Sequence, residues 1–148
     1  MAPKRLPRLL DREDVAKLKA ACSPNSRIGR RNRAALEVLH RCGLRVAELC
    51  ALRPADVRWK LCQVVVRQGK GRKDRVVPGV GDDVLGALRA WQEVRPEGAQ
   101  ALFCTLDGRP TSPRYWQQAL KRLAKHAGVD PATVTPQVLR HCFASEAL

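Results

Sequence analysis

Apolar positions along this chain follow two different periods. Asp11 is placed as an N-cap, with Asp14 three residues on and Val15, Leu18 and Cys22 at helical spacing, so a first helix is expected to end near Cys22. Ser23-Pro24-Asn25-Ser26 reads as a turn. Ala35, Val38, Leu39 and Cys42 then recur at i, i+3, i+4 and i+7 and stop at Gly43, which predicts a second helix closed by that glycine. A short apolar helix carrying Arg45 follows, and Arg53-Pro54-Ala55-Asp56 breaks it because proline cannot continue a helix interior.

From Val57 the period shortens. Gln63 to Arg67 is a β-branched run, Gly69 to Asp74 is a turn rich in glycine and charge, and Arg75-Val76-Val77-Pro78 is a second strand. The pair predicts a β-hairpin with a basic tip, and Val57-Arg58-Trp59 is a candidate third strand. Helical spacing resumes at Val84, Ala87, Leu88 and Trp91, and again at Trp116, Ala119, Leu120, Leu123 and Ala127. Between them Leu102-Phe103-Cys104 is extended and enters a turn at Asp107-Gly108. Thr135-Pro136 opens a last helix, threonine as N-cap and proline at the first helical position. The fold expected is mainly α (α+β): one helical domain over residues 1–148 with a small three-stranded antiparallel sheet near its middle.

Charge narrows the partner. The chain has 148 residues, 28 Lys+Arg against 14 Asp+Glu and a net charge of +14, which calls for a polyanion, nucleic acid before an anionic membrane. No apolar stretch approaches the roughly 20 residues that span a bilayer, so no membrane partner is expected. The opening Met1-Ala2-Pro3-Lys4-Arg5 lacks the apolar segment of a secretory signal, and the chain is read as cytoplasmic. Six cysteines form no Cys-x-x-Cys pair and no ligand spacing with His40, His126 or His141, so neither a metal nor another cofactor is expected. Cys22 and Cys42 fall at apolar helical positions, as reduced cysteines packed as small hydrophobes would. At 4% aromatic residues, the chain is poor in the rings that a single-strand stacking platform needs.

Three basic residues suggest a site. Arg45 sits within Gly43-Leu44-Arg45-Val46-Ala47-Glu48-Leu49, an apolar run in which an unpaired charge near the core is costly. Either it serves an anion, or it pairs locally with Glu48 at i,i+3, worth about 0.2–0.5 kcal/mol when exposed. Arg140 lies in a similar setting, Val138-Leu139-Arg140-His141. Two guanidinium forks on rigid helices can grip one phosphodiester from two sides, and Lys70 at the hairpin tip could donate a proton to a departing alkoxide. Arg72, Lys73 and Arg75 read as backbone-phosphate contacts or a solvated turn. Arg30, Arg31 and Arg33 read as a solvated basic helix face, His40 and His126 show no partner at suggestive spacing, and Tyr115, beside Trp116, reads as structural.

Three segments together resemble the catalytic domain of the tyrosine recombinases, or phage integrase family, including the bacterial Xer-type enzymes. They are Gly43 to Leu49, the hairpin Gly69-Lys70-Gly71-Arg72-Lys73-Asp74-Arg75-Val76-Val77-Pro78, and Thr135-Pro136-Gln137-Val138-Leu139-Arg140-His141-Cys142-Phe143-Ala144. The opening Leu6 to Val15 also looks like the entry to that domain. The resemblance implies site-specific recombination of double-stranded DNA without a metal, alongside other recombinase-family protomers. In that scheme a tyrosine attacks the scissile phosphate, two arginines and a histidine stabilise the transition-state oxygens, and a lysine protonates the leaving oxygen. By motif, Arg45 and Arg140 match the two arginines, Lys70 the lysine, His141 the histidine following the second arginine, and Glu48 an acidic residue expected to orient Arg45.

The sequence departs from this family in two places. Gln137 stands where the family has a histidine, and glutamine can donate a hydrogen bond but does not titrate near neutral pH. The family's nucleophilic tyrosine lies beyond the position of Leu148, so the chain is expected to be a truncated domain that clamps DNA phosphate but is incomplete for strand cleavage. Two other readings stay open: a non-catalytic nucleic-acid-binding module or regulator, and a decayed gene remnant.

Overall fold

The computed structural model describes residues 10–68, 71 and 73–146. The first helix, α1 (Arg12–Ala20), starts where the sequence places it: the Asp11 carboxylate accepts the Asp14 backbone N–H at 2.7 Å. α2 (Arg27–Arg41) is capped by Ser26, whose hydroxyl accepts the Gly29 N–H at 2.9 Å. Every residue from Ala34 to His40 is buried, so α2 is a central helix rather than an amphipathic surface one, and it packs along both α4 (Asp82–Val94) and α6 (Pro136–Glu146). That burial takes in Glu37 and His40. Glu37 is neutralised by an ion pair with Lys19 of α1, and Lys19 Nζ also lies 3.3 Å from His40 Nδ1, a partner no local spacing announced.

Gly43 ends the α2 segment at φ +67°, a left-handed conformation that glycine adopts without steric cost. The short α3 (Val46–Ala51) follows, then a 3-10 turn at Pro54–Asp56. Strands β1 (Val57–Arg58), β2 (Gln63–Val66) and β3 (Arg75–Val77) form an antiparallel sheet in that order, with Val57 opposite Val64 and Val64 opposite Val77. Val64 and Val66 are fully buried and face the core. Asp56, itself buried, ties the turn to the sheet, accepting the Arg53 N–H and Arg67 Nε, each at 2.9 Å.

α4 is joined to the bent segment after it by Trp91, whose indole N–H donates to the Leu102 carbonyl at 2.8 Å; of the expected extended stretch 102–104 only Cys104 forms a bridge, to Pro110. α5 (Pro113–Ala127) is capped by Ser112, ends at Gly128 (φ +74°) and buries Trp116, Leu120, Leu123 and Ala124. Thr135 caps α6, accepting the Val138 N–H at 3.1 Å. The architecture is therefore the mainly helical one with a three-stranded sheet that the sequence patterns predict.

The arginine cluster on α2 departs from expectation. It is not a solvated face. Arg31 is 1% exposed; its Nη1 donates to the Tyr115 hydroxyl at 2.6 Å and the Cys104 carbonyl at 3.3 Å, and its guanidinium lies 5.1 and 4.9 Å from the ring centroids of Tyr115 and Trp116. Arg30 bridges to Glu93 of α4, and Arg33 donates to the Lys19 carbonyl. Stacking and five donors in a fixed fork let an arginine enter a core that would exclude a lysine.

Candidate phosphate-binding cleft

Arg45 is the N-cap of α3 rather than a residue within it, and it is exposed. The apolar neighbours that made it look half-buried turn the other way: Leu44 and Leu49 are completely buried. The turn after Gly43 thus sends Leu44 into the core and Arg45 outward, with its guanidinium unpartnered among the described residues. Glu48 does not engage that guanidinium. Its Oε1 accepts the Arg45 backbone N–H at 2.8 Å and Arg75 Nη2 at 3.0 Å, while its Oε2 accepts Arg75 Nη1 at 2.5 Å and Gln68 Nε2 at 3.0 Å. Burial pushes the Glu48 carboxyl up, but the bonds from Arg75, the Arg45 N–H and Gln68, with the Arg75 charge, outweigh it and hold the pKa at about 2. The same bond pushes the Arg75 guanidinium pKa up.

Arg75, read from sequence beside Arg72 and Lys73 as a phosphate contact, is therefore committed to Glu48 and braces the sheet against α3. Lys73 is exposed, while Lys70 and Arg72 lie outside the described residues.

α6 meets this region through Arg140, whose Nε donates to the Gly43 carbonyl at 3.2 Å, two residues before Arg45. That bond fixes the head group and leaves both terminal nitrogens unpartnered among the described residues. Gln137 lies one turn earlier on α6, exposed on the same side. Arg45, Gln137 and Arg140 line one cleft of about 410 Å³ together with Thr135 and, from α5, Gln117 and Lys121. Among the described residues no carboxylate lines it. His141 is exposed beside Arg140 but does not line the cleft. Lys121 and Gln117 escaped the sequence reading because nothing local separates them from the other polar residues on the outer face of α5.

The cleft is fit for oxyanion binding: two guanidinium forks, an ammonium and amide donors line a space that holds no carboxylate among the described residues. Among the described residues no cluster of three or more His, Cys, Asp or Glu is placed to hold a metal ion, and no helix is long and apolar enough to cross a membrane. The single tyrosine, Tyr115, has its hydroxyl on Arg31 and packs edge-on against Trp116 with ring centroids 5.7 Å apart.

A helical domain with an inserted sheet and two convergent arginines defines a class, and comparison with known proteins agrees: the chain belongs to the phage integrase family, which it matches over residues 8–148. It is similar to tyrosine recombinase XerC of Alcanivorax borkumensis, 42% identical over 98% of this chain and 48% of that protein. It is also similar to tyrosine recombinase XerA of Thermococcus onnurineus, at 37% over 99% of this chain and 50% of that protein. Among solved structures, the XerA recombinase superposes with a TM-score of 0.87 at 30% identity, over 99% of this chain and 51% of that one. XerH bound to its difH substrate shares the fold, with a TM-score of 0.77 at 24% identity, over 97% of this chain and 43% of that one. The chain spans about half the length of the curated relatives it matches.

Proposed function

We propose that these residues form the phosphate-holding part of a recombinase catalytic domain and that the chain acts on double-stranded DNA in site-specific recombination. The observation that carries this reading is the placement of Arg45 and Arg140 in one cleft that, among the described residues, no carboxylate lines. Each guanidinium can give two N–H bonds to a phosphodiester, and together they would neutralise the charge that builds on its oxygens as the phosphorus is attacked. Gln137 would add a neutral donor where the family has a histidine. Lys70 is assigned, on its motif, to protonating the leaving oxygen, and His141 to the same phosphate group, both by resemblance. Arg72 and Lys73 are assigned to flanking phosphates, and Glu48 to holding the N-cap on which Arg45 stands.

No residue of this chain is assigned the attack. Tyr115 is engaged by Arg31, and a phosphate clamp without a nucleophile binds but does not cleave. These 148 residues alone should form no covalent adduct with a nicked suicide duplex on a denaturing gel; an adduct would overturn that part of the reading. Binding tests the clamp directly. Arg45→Ala and Arg140→Ala should each weaken duplex DNA binding by about 1.5–3 kcal/mol. Affinities equal to wild type for both variants would show a diffuse basic surface instead.

A further inference from the structure

The two motif arginines do not account for the whole cleft. Its volume of about 410 Å³ lies in the range of pockets that enclose whole ligands, about 300–1,000 Å³, and exceeds what a lone phosphate group fills. Its third wall comes from α5, which presents Gln117 and Lys121 four residues apart, on one face. Lys121 belongs to none of the three family segments. We propose that Lys121 is a third backbone contact, seating the DNA phosphate next to the one that Arg45 and Arg140 hold, with Gln117 as a neutral donor beside it. This rests on the reading of the cleft as a DNA phosphate site.

Convergence supports the assignment. Among the described residues, exposed cations without a carboxylate partner occur elsewhere, Arg58 and Lys60 among them, but those do not line this cleft. Lys121, Arg45 and Arg140 are exposed cations with no carboxylate partner among the described residues, and all three line the same cleft. Such a cluster repels itself in the free protein, a cost that a polyanion removes on binding.

The support behind Lys121 is rigid. Trp116 and Leu120 are buried on the inner side of α5, and the ring contacts of Arg31 with Tyr115 and Trp116 anchor its first turn to α2. The ammonium therefore moves only on its own flexible stem, which suits a point-charge contact to backbone.

The test is the salt dependence of duplex DNA binding by the full chain, read as the slope of log K against log salt. Lys121→Ala should make the slope shallower by about 0.9, one phosphate contact, and weaken binding at low salt about tenfold, equally for duplexes of unrelated sequence. Lys121→Arg should restore the slope. Lys60→Ala, removing an exposed charge on the β1–β2 turn, controls for net charge and should leave the slope as in wild type. A wild-type slope in Lys121→Ala alongside a shallower one in Arg45→Ala would overturn this contact while leaving the clamp intact. A loss confined to particular DNA sequences would overturn it in favour of a base contact. If wild type shows no salt-dependent duplex binding, the clamp reading fails and this inference with it.

Discussion

The Glu48 carboxylate holds both terminal nitrogens of Arg75, at 2.5 and 3.0 Å, and also accepts the backbone N–H of Arg45 and the Gln68 side-chain amide. One side chain thus joins the sheet, through Arg75 of β3, to Arg45, the N-cap of α3. Its effect on Arg45 runs through the backbone: it holds the N-cap in place without engaging the guanidinium, which has no partner among the described residues.

Acid should loosen this joint. The carboxyl titrates at about 2 in the fold against an ordinary 4.5, so its contribution is complete above pH 4.5 and is lost as pH falls through about 2. That gap corresponds to on the order of 3 kcal/mol, which solvent screening at Arg75, 38% exposed, reduces to about 1–2. Glu48→Gln should therefore be less stable than wild type by about 1–2 kcal/mol at pH 7. The difference should close between pH 4.5 and 2 in urea unfolding curves; a difference constant across that range would assign the loss to something other than the charge.

Arg31 and Tyr115 form the second joint, between α2 and α5. Tyr115→Phe keeps the ring and removes the acceptor 2.6 Å from Arg31 Nη1, leaving that buried nitrogen only the longer bond to the Cys104 carbonyl and one N–H without an acceptor, at a cost of about 1–3 kcal/mol. Arg31→Lys should cost at least as much, since an ammonium cannot reach the Cys104 carbonyl, the Tyr115 hydroxyl and the Asn32 side chain in one plane. Thermal unfolding measures both. A Tyr115→Phe protein as stable as wild type would mean that water replaces the lost acceptor.

How far the sequence could be read depended on the range of the interaction. The Asp11 and Thr135 caps and the stop at Gly43 depend on residues a few positions apart, the pairing of β2 with β3 on strands adjacent along the chain, and each stands in the structure as its local pattern predicts. Arg31 could not be read in this way. Its ring partner lies 84 residues away, and the surrounding Arg30 and Arg33 make any local view of it look solvated. Arg45 misled in the opposite direction: apolar neighbours suggested burial, but one left-handed glycine puts Leu44 and Arg45 on opposite sides of the chain. Family resemblance singles out Arg45 and Arg140 as candidates, whereas Lys121 comes to line the same cleft only through the packing of α5.

Gln137 offers a way to install a pH response. It is exposed in the cleft with Arg45, Lys121 and Arg140, and His141 stands close by on the same helix. Gln137→His places a group titrating near 6.5 among those cations, which will disfavour its charged form in the free protein; a bound phosphate reverses that preference. Proton uptake should then accompany binding, so the variant should gain affinity for duplex DNA relative to wild type as pH falls from 8 to 5.5, with a salt slope steeper by up to about 0.9 at the acid end. The comparison with wild type removes the contribution of His141. A variant-to-wild-type ratio that does not change with pH would place residue 137 out of reach of the phosphate.

The start of α2 tests the packing that sets the rest. A Cβ on Gly29 would lie 2.1 Å from the Ser23 carbonyl oxygen and 2.7 Å from the Ser23 nitrogen, both backbone atoms that cannot rotate aside. Gly29 also donates its N–H to the Ser26 cap, so the 23–26 turn and the first turn of α2 would have to separate together. Gly29→Ala should destabilise by about 1–3 kcal/mol despite the better helix propensity of alanine, which alone would favour the substitution by about 1 kcal/mol. Because α2 bears Arg31 and runs to Gly43, a displaced α2 should also weaken DNA binding, though less than Arg45→Ala does. Chemical denaturation and duplex binding of the same preparation separate the two effects. Unchanged stability would show that the turn yields freely, and the link from Ser23 to the cleft would then be broken at its first step.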